Sequence, residues 1–377
     1  MNNAEAVIIV GFLDGEEKWS MTRKPWLVAL CGALALAAAA CSSGSSSGSS
    51  ASSSGSQASK PYTIYLSNNF VGNDWRVQME KEATVAAGLA PFKGNVKLTV
   101  TNAGATVPDQ IDSLQAIVAK KPDAILVDAS SPTALNPVIT QACAKGIVVV
   151  NFDQTVTAPC AYKIFSNFTL GEQLSAKWMV AQLHGKGNVF EDTGLAGAPI
   201  SATISNAWKS VLKNYPNIKV IGTYQGQYAL GPEQQGVASL VAAHTNVQGI
   251  LTQGYCTGAM KALQAAGHSQ VPMLCQSYNQ TYVALAKTSG ASGFIMANPA
   301  WLSVLAMQTA VNVIQGHHEA KTNELTPPCF FQGGSSPSGA SCQAIKLGVN
   351  AFPSLSPGLT LPVTPPFMKI QPAQVVP

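Results

Sequence analysis

Two doubly wound α/β units with parallel sheets are the fold class expected of this chain. The alternation of short β-branched runs with helix-periodic segments from Tyr62 to Ile314 predicts the α/β units. Runs such as AILVD at 124–128 and IVVVN at 147–151 are apolar without interruption, as strands covered on both faces must be. The 337 residues from Cys41 onward suit two domains of ordinary size.

Candidate strands of the first unit are Thr63–Ser67, Val96–Thr101, Ala124–Asp128 and Ile147–Asn151. Helices start between them near Asp74, Pro108 and Pro132, with Asp74 as a cap and Ser131 capping ahead of a first-turn proline. In the second unit the strands are Gly187–Glu191, Ile218–Thr223, Gly249–Thr252, Val271–Leu274 and Gly293–Ala297. Its helices are Ser201–Leu212, Glu233–Ala243, Cys256–Ala266, Gln280–Thr288 and Ala300–Ile314. The segment 326–377, rich in Pro, Gly and Ser, is expected to return in part across the hinge onto a lobe.

The start of the chain is an address. Arg23 and Lys24 precede an apolar run from Pro25 to Ala40, too short to cross a bilayer comfortably, with small residues ahead of Cys41. Ala38-Ala39-Ala40-Cys41 resembles the bacterial lipobox, which places a lipid on Cys41 and removes 1–40 as a signal. Glu16 and Glu17 are unlike an export signal's start, so Met21 is the expected first residue. Ser42–Lys60 is a Ser/Gly coil able to span a few nanometres. Its Gly44–Gly48 segment spells G-x-S-x-G, but a coil lacks the strand and helix that make that motif a nucleophile elbow.

Removing 1–40 takes three of 22 cations and four of 18 anions, leaving a mildly basic 19 against 14. With no Lys/Arg cluster, nucleic acid is not an expected partner. Six cysteines remain after Cys31 and Cys41 are set aside: Cys143, Cys160, Cys256, Cys275, Cys329 and Cys342. An even number in an exported chain favours disulfides; fifteen pairings are open, of which 143–160, 256–275 and 329–342 each close a short loop. No cofactor is called for, and no His stands at zinc-ligand spacing from a cysteine pair, so no metal site is expected.

Ligands of doubly wound sheets sit at the carboxyl ends of the strands. Those ends hold Asn69, Asn73, Trp75, Arg76, Asp128, Asp153, Gln154, Tyr228, Gln253, Gln276, Asn279, Asn298 and Trp301. Amides and carboxylates can each satisfy several hydroxyls, and aromatic faces cover the C–H face of a sugar ring. Singly, such residues serve equally well as helix caps. Together they point to a sugar or polyol.

The chain from about Tyr62 to Ile314 resembles the sugar-binding periplasmic binding proteins of the ribose-binding type, which serve ABC importers. Leu66–Asn69 leading into Gly72–Arg76, Pro122–Asp128, Ala134–Ile139 and Gly146–Asp153 carry the resemblance. It implies two lobes joined by three crossing segments, with the ligand clamped by hinge closure. It also implies that Asn73 and Trp75 flank the sugar, that Asp153 accepts hydroxyl protons, and that Tyr228 is the far lobe's aromatic. Asn298 and Trp301 fall near the last crossing. The expected division is 61–165 with 298–345 in one lobe, and 166–297 with part of 346–377 in the other.

Three positions depart from the family pattern. Gln154 stands where an Arg often follows the carboxylate, SATISNAW at 201–208 lacks the far-lobe Arg, and Gln276-Ser277-Tyr278-Asn279 replaces an Asp. Such a pocket is not expected to hold the family's typical pentose in the typical way; Arg76 offers a bidentate donor instead. The expected function is a monomeric, lipid-anchored receptor that presents a neutral sugar to a permease powered by a separate ATPase, since this chain has no G-x-x-x-x-G-K-[ST] loop. The alternatives are a binding protein for an amino acid, nucleoside or signalling furanone, and an exported hydrolase. The hydrolase would need a His base, and His184, His244 and His268 lie away from the strand ends.

Overall fold

A computed structural model describes residues 60–104 and 106–377; the signal, Cys41 and nearly all of the tether lie outside them. In the first lobe the order is β1 (Tyr62–Asn68), α1 (Asp74–Ala87), β2 (Val96–Asn102), α2 (Val107–Ala119), β3 (Ala124–Asp128), α3 (Asn136–Ala144), β4 (Val148–Phe152) and β5 (Tyr162–Ser166). The chain then crosses into α4 (Phe168–Gln182), β6 (Gly187–Asp192), α5 (Pro199–Leu212), β7 (Ile218–Tyr224) and α6 (Leu230–Ala243). The second lobe continues with β8 (Gly249–Leu251), α7 (Thr257–Ala265), β9 (Met273–Gln276), α8 (Asn279–Lys287) and β10 (Gly293–Met296). A second crossing leads to α9 (Leu302–Ile314) and β11 (Thr322–Leu325) in the first lobe, and a third to β12 (Cys329–Gln332) and β13 (Gln343–Ala344) in the second.

Both sheets repeat one winding. The first runs β2-β1-β3-β4-β5-β11, every pair parallel. The second runs β7-β6-β8-β9-β10-β12-β13, parallel up to β10, with β12 antiparallel to it. Each therefore has its topological switch point beside its first strand, between β1 and β3 and between β6 and β8.

The uninterrupted apolar strands are buried on both faces, as their composition demands. On β3 and β4 the pleat sends Ile125, Val127 and Val149 toward α2 and α3, while Ala124, Leu126 and Val150 pack with α1 and α9. In the second lobe Leu251, Leu274 and Phe294 lie under the Trp178 and Trp208 of α4 and α5. The disulfides pair Cys143–Cys160, Cys256–Cys275 and Cys329–Cys342, with Cα–Cα distances of 6.3, 5.4 and 4.7 Å. All three are the short-loop pairs.

Several boundaries differ from expectation. The cap of α1 is Asn73, whose Oδ1 accepts from Arg76 N at 2.9 Å; Asp74 is the first helical residue. Ser131 caps a turn, accepting from Ala134 N at 3.1 Å, and α3 begins only at Asn136. Residues 329–344 join the second sheet rather than the first lobe, because β12 pairs with β10 along the edge that β10 leaves open.

The C-terminal segment touches both lobes. Asn279 Nδ2 donates to Phe352 O at 2.8 Å and its Oδ1 accepts from Phe352 N at 3.0 Å. Gln78 of α1 bonds Thr360 through both backbone groups, at 3.0 and 2.6 Å, while Thr360 also bridges Tyr278.

Candidate functional site

A cavity of about 180 Å³ lies between the lobes at the strand ends.

The first lobe supplies its charge. Asn68 closes β1 and is fully buried; its Oδ1 accepts from Arg76 Nη1 at 2.7 Å, and Asn69 Oδ1 accepts from the same nitrogen at 3.1 Å. Arg76 also pairs with Asp128 beneath it and stands 3.8 Å from Asp153. Asp153 is held in the left-handed region at φ 58°, which Asp tolerates better than most residues and which turns the chain sharply after β4. Its Oδ1 accepts from Asn298 Nδ2 at 2.8 Å, and Asn298 Oδ1 accepts from Ser166 Oγ at 2.9 Å. Burial raises the pKa of both Asp153 and Asp128, and Arg76 opposes the rise. The Trp75 indole N–H donates to Asn298 O at 2.8 Å, so what Trp75 offers the cavity is its ring.

Among the described residues, two buried polar atoms on this wall have no protein partner: Ser130 Oγ and Gln154 Oε1. A buried acceptor or hydroxyl left unpaired costs about 1–3 kcal/mol, so both are positions where a bound hydroxyl is welcome.

The second lobe is built otherwise. Asp192 closes β6, and its carboxylate accepts from Gly194 N and Gly226 N at 2.8 and 2.7 Å and from Gln253 N at 3.1 Å. Three strand-end loops are thereby held together. Tyr228, at φ 52° beside Gln227 at 53°, sits in a region bulky side chains avoid. Its hydroxyl donates to Gln253 Oε1 at 2.9 Å and meets Ser201 Oγ at 2.6 Å, so it too presents a ring. Beside it the wall is apolar at Phe168, Leu195, Ala196, Ala198, Ile200 and Ile204, and polar at Gln276 and Tyr278. Asp74 of the first lobe accepts from the Tyr255 hydroxyl of the second at 3.1 Å, and Tyr255 stacks on Tyr278 at 3.9 Å.

Residues 64–318 match the family described as a periplasmic binding protein domain. The chain belongs to that family. It is 26% identical to the galactofuranose-binding protein YtfQ of Escherichia coli over 217 residues, which is 55% of this chain and 67% of that protein. It is 20% identical to the ribose import binding protein RbsB of Bacillus subtilis over 266 residues, 70% of this chain and 85% of that one. A crystal structure of an ABC transporter solute binding protein from Thermobispora bispora superposes with a TM-score of 0.65 at 28% identity, over 71% of this chain and 84% of that chain.

Within this periplasmic binding protein, nine of the thirteen expected residues line the cavity: Asn69, Asn73, Trp75, Arg76, Asp153, Gln154, Tyr228, Gln276 and Asn298. Four do not. Asp128 lies behind Arg76, and Gln253 stands behind Tyr228, its Nε2 donating to Asp192 O at 3.1 Å. Asn279 is spent on the C-terminal segment, and Trp301 is packed in the core. The sequence reading passed over Ser130, Tyr278, Phe168 and the apolar 195–204 wall. Ser130 and the start of that wall were within reach, since they follow directly on the ends of β3 and β6.

Proposed function

We propose that this is an exported receptor, lipid-anchored through Cys41, that captures one neutral monosaccharide between its lobes and delivers it to an ABC importer. The observation that carries the reading is the pair of unpartnered buried atoms, Ser130 Oγ and Gln154 Oε1, beside the Arg76–Asp153–Asn298 cluster in the cavity between the lobes. Hydroxyls both donate and accept, and so fit such a mixture. The sugar specificities in the names of YtfQ and RbsB agree with it. An amino acid is less well served: Arg76 already faces Asp128 and Asp153, so its charge is not free for a ligand carboxylate.

The work is capture and presentation, without bond chemistry, by a monomer whose energy comes from a separate ATPase. Closure is favoured only to the extent that the ligand binds the closed form better than the open one. A thermal-shift screen over sugars, polyols, amino acids and nucleosides tests the reading. Stabilisation by a monosaccharide is expected; stabilisation by an amino acid or nucleoside alone would overturn it. For the anchor, Cys41→Ser should release the protein from the membrane fraction with binding intact.

A further inference from the structure

The two walls of the cavity differ in what they can offer a ring of hydroxyls. On the first lobe, Asn69, Arg76, Ser130, Asp153 and Gln154 give donors and acceptors in several directions. On the second lobe, the stretch from Leu195 to Ile204 gives the cavity Leu195, Ala196, Gly197, Ala198, Ile200 and Ile204, with Phe168 beside them. The hydroxyls of that region are consumed internally. Ser201 Oγ accepts from Leu195 N at 3.0 Å and meets the Tyr228 hydroxyl, which donates onward to Gln253 Oε1. Ser205 Oγ accepts from Gln253 Nε2 at 3.2 Å. The wall's other polar side chains, Gln276 and Tyr278, come from the β9–α8 end of the lobe. Among the described residues, no charged side chain lines the second lobe's side of the cavity.

Closing the cleft on a sugar that turned a hydroxyl toward Leu195, Ile200 and Ile204 would bury that hydroxyl with no side chain to pair with it. The same edge carrying a methyl or hydrogen would gain apolar burial instead. We infer that the ligand is a deoxy sugar, a 6-deoxyhexose in the first instance, with its deoxygenated edge against the wall formed by Phe168, Leu195, Ile200 and Ile204 and its hydroxyls toward Arg76, Ser130, Asp153 and Gln154. The inference rests on the monosaccharide reading and narrows it.

Calorimetric titration of the protein with matched pairs decides the matter: D-fucose against D-galactose, L-fucose against L-galactose, L-rhamnose against L-mannose. In the tightest-binding pair, the 6-deoxy member should bind about tenfold to a hundredfold more tightly, the range expected for one unpaired buried hydroxyl. Equal or tighter binding of the hydroxylated member overturns the deoxy inference and leaves the sugar reading standing. Binding of a nucleoside with no monosaccharide binding overturns both. Ile200→Thr, in the first turn of α5 and only partly buried, gives the second test. It should keep its melting temperature and cut the deoxy preference severalfold; an undiminished preference removes the α5 wall from the assignment.

Discussion

Asn68 and Asp192 occupy the same place in two repeats of one winding, each closing the first strand of its sheet at the switch point, and each is fully buried. Asn68 is neutral and receives a guanidinium; Asp192 is a carboxylate and receives three backbone N–H groups. The first arrangement brings side-chain charge to the cavity wall, in Arg76 and Asp153. The second spends its charge on holding loops, and the wall it organises is apolar. Position in the fold thus decides where a polar group stands; what its partners consume decides whether a ligand can use it.

That contrast can be broken most severely at Arg76. Arg76→Met leaves Asp128 and Asp153 buried without their cation, and should cost about 4 kcal/mol in denaturant unfolding and about a hundredfold in ligand affinity. A loss of affinity without a loss of stability would show that Asp128 does not depend on Arg76.

A smaller effect isolates the second lobe. Glu172 is buried, accepting from Ser175 Oγ and Trp208 Nε1 at 2.7 Å, and burial raises its pKa to about 7 against these bonds. Glu233 is likewise raised to about 7, mainly by burial. The unfolded chain releases these protons near pH 4.5, while the folded protein keeps them until about pH 7. Stability from each is therefore full below pH 4.5, declines as pH rises to about 7, and is then lost by about 3 kcal/mol. Glu172→Gln should remove that residue's contribution and lessen the slope of unfolding free energy measured between pH 4.5 and 7. An unchanged slope would count against a protonated Glu172.

The mildest test concerns Trp75, whose N–H reaches Asn298 at the second crossing. Trp75→Phe keeps a ring in the cavity and loses that bond, so affinity by calorimetry should fall about fivefold, or about 1 kcal/mol. A loss as large as that of Trp75→Ala would show that the ring contributes little.

Strands such as AILVD could be read from sequence because burial on both faces forces a continuous apolar run. The partly buried YKIFS of β5 leaves no such mark, and β12 and β13 are strands only because an open sheet edge receives them. At the site, Asp153, Trp75 and Tyr228 were legible as polar or aromatic residues at strand ends. Asn279 looked the same, yet its partners lie more than 70 residues away in the C-terminal segment, a contact no local pattern encodes. The Leu195–Ile204 wall failed in the opposite sense: apolar residues after a strand read as core, and here they face the cavity.

The three disulfides have a mechanical consequence. Cys143–Cys160 lies within the first lobe, and Cys256–Cys275 and Cys329–Cys342 within the second. None bridges the joint. Oxidation therefore stiffens each lobe from within and adds no covalent tie between them, so a thiol reductant should lower the melting temperature without loosening the joint directly.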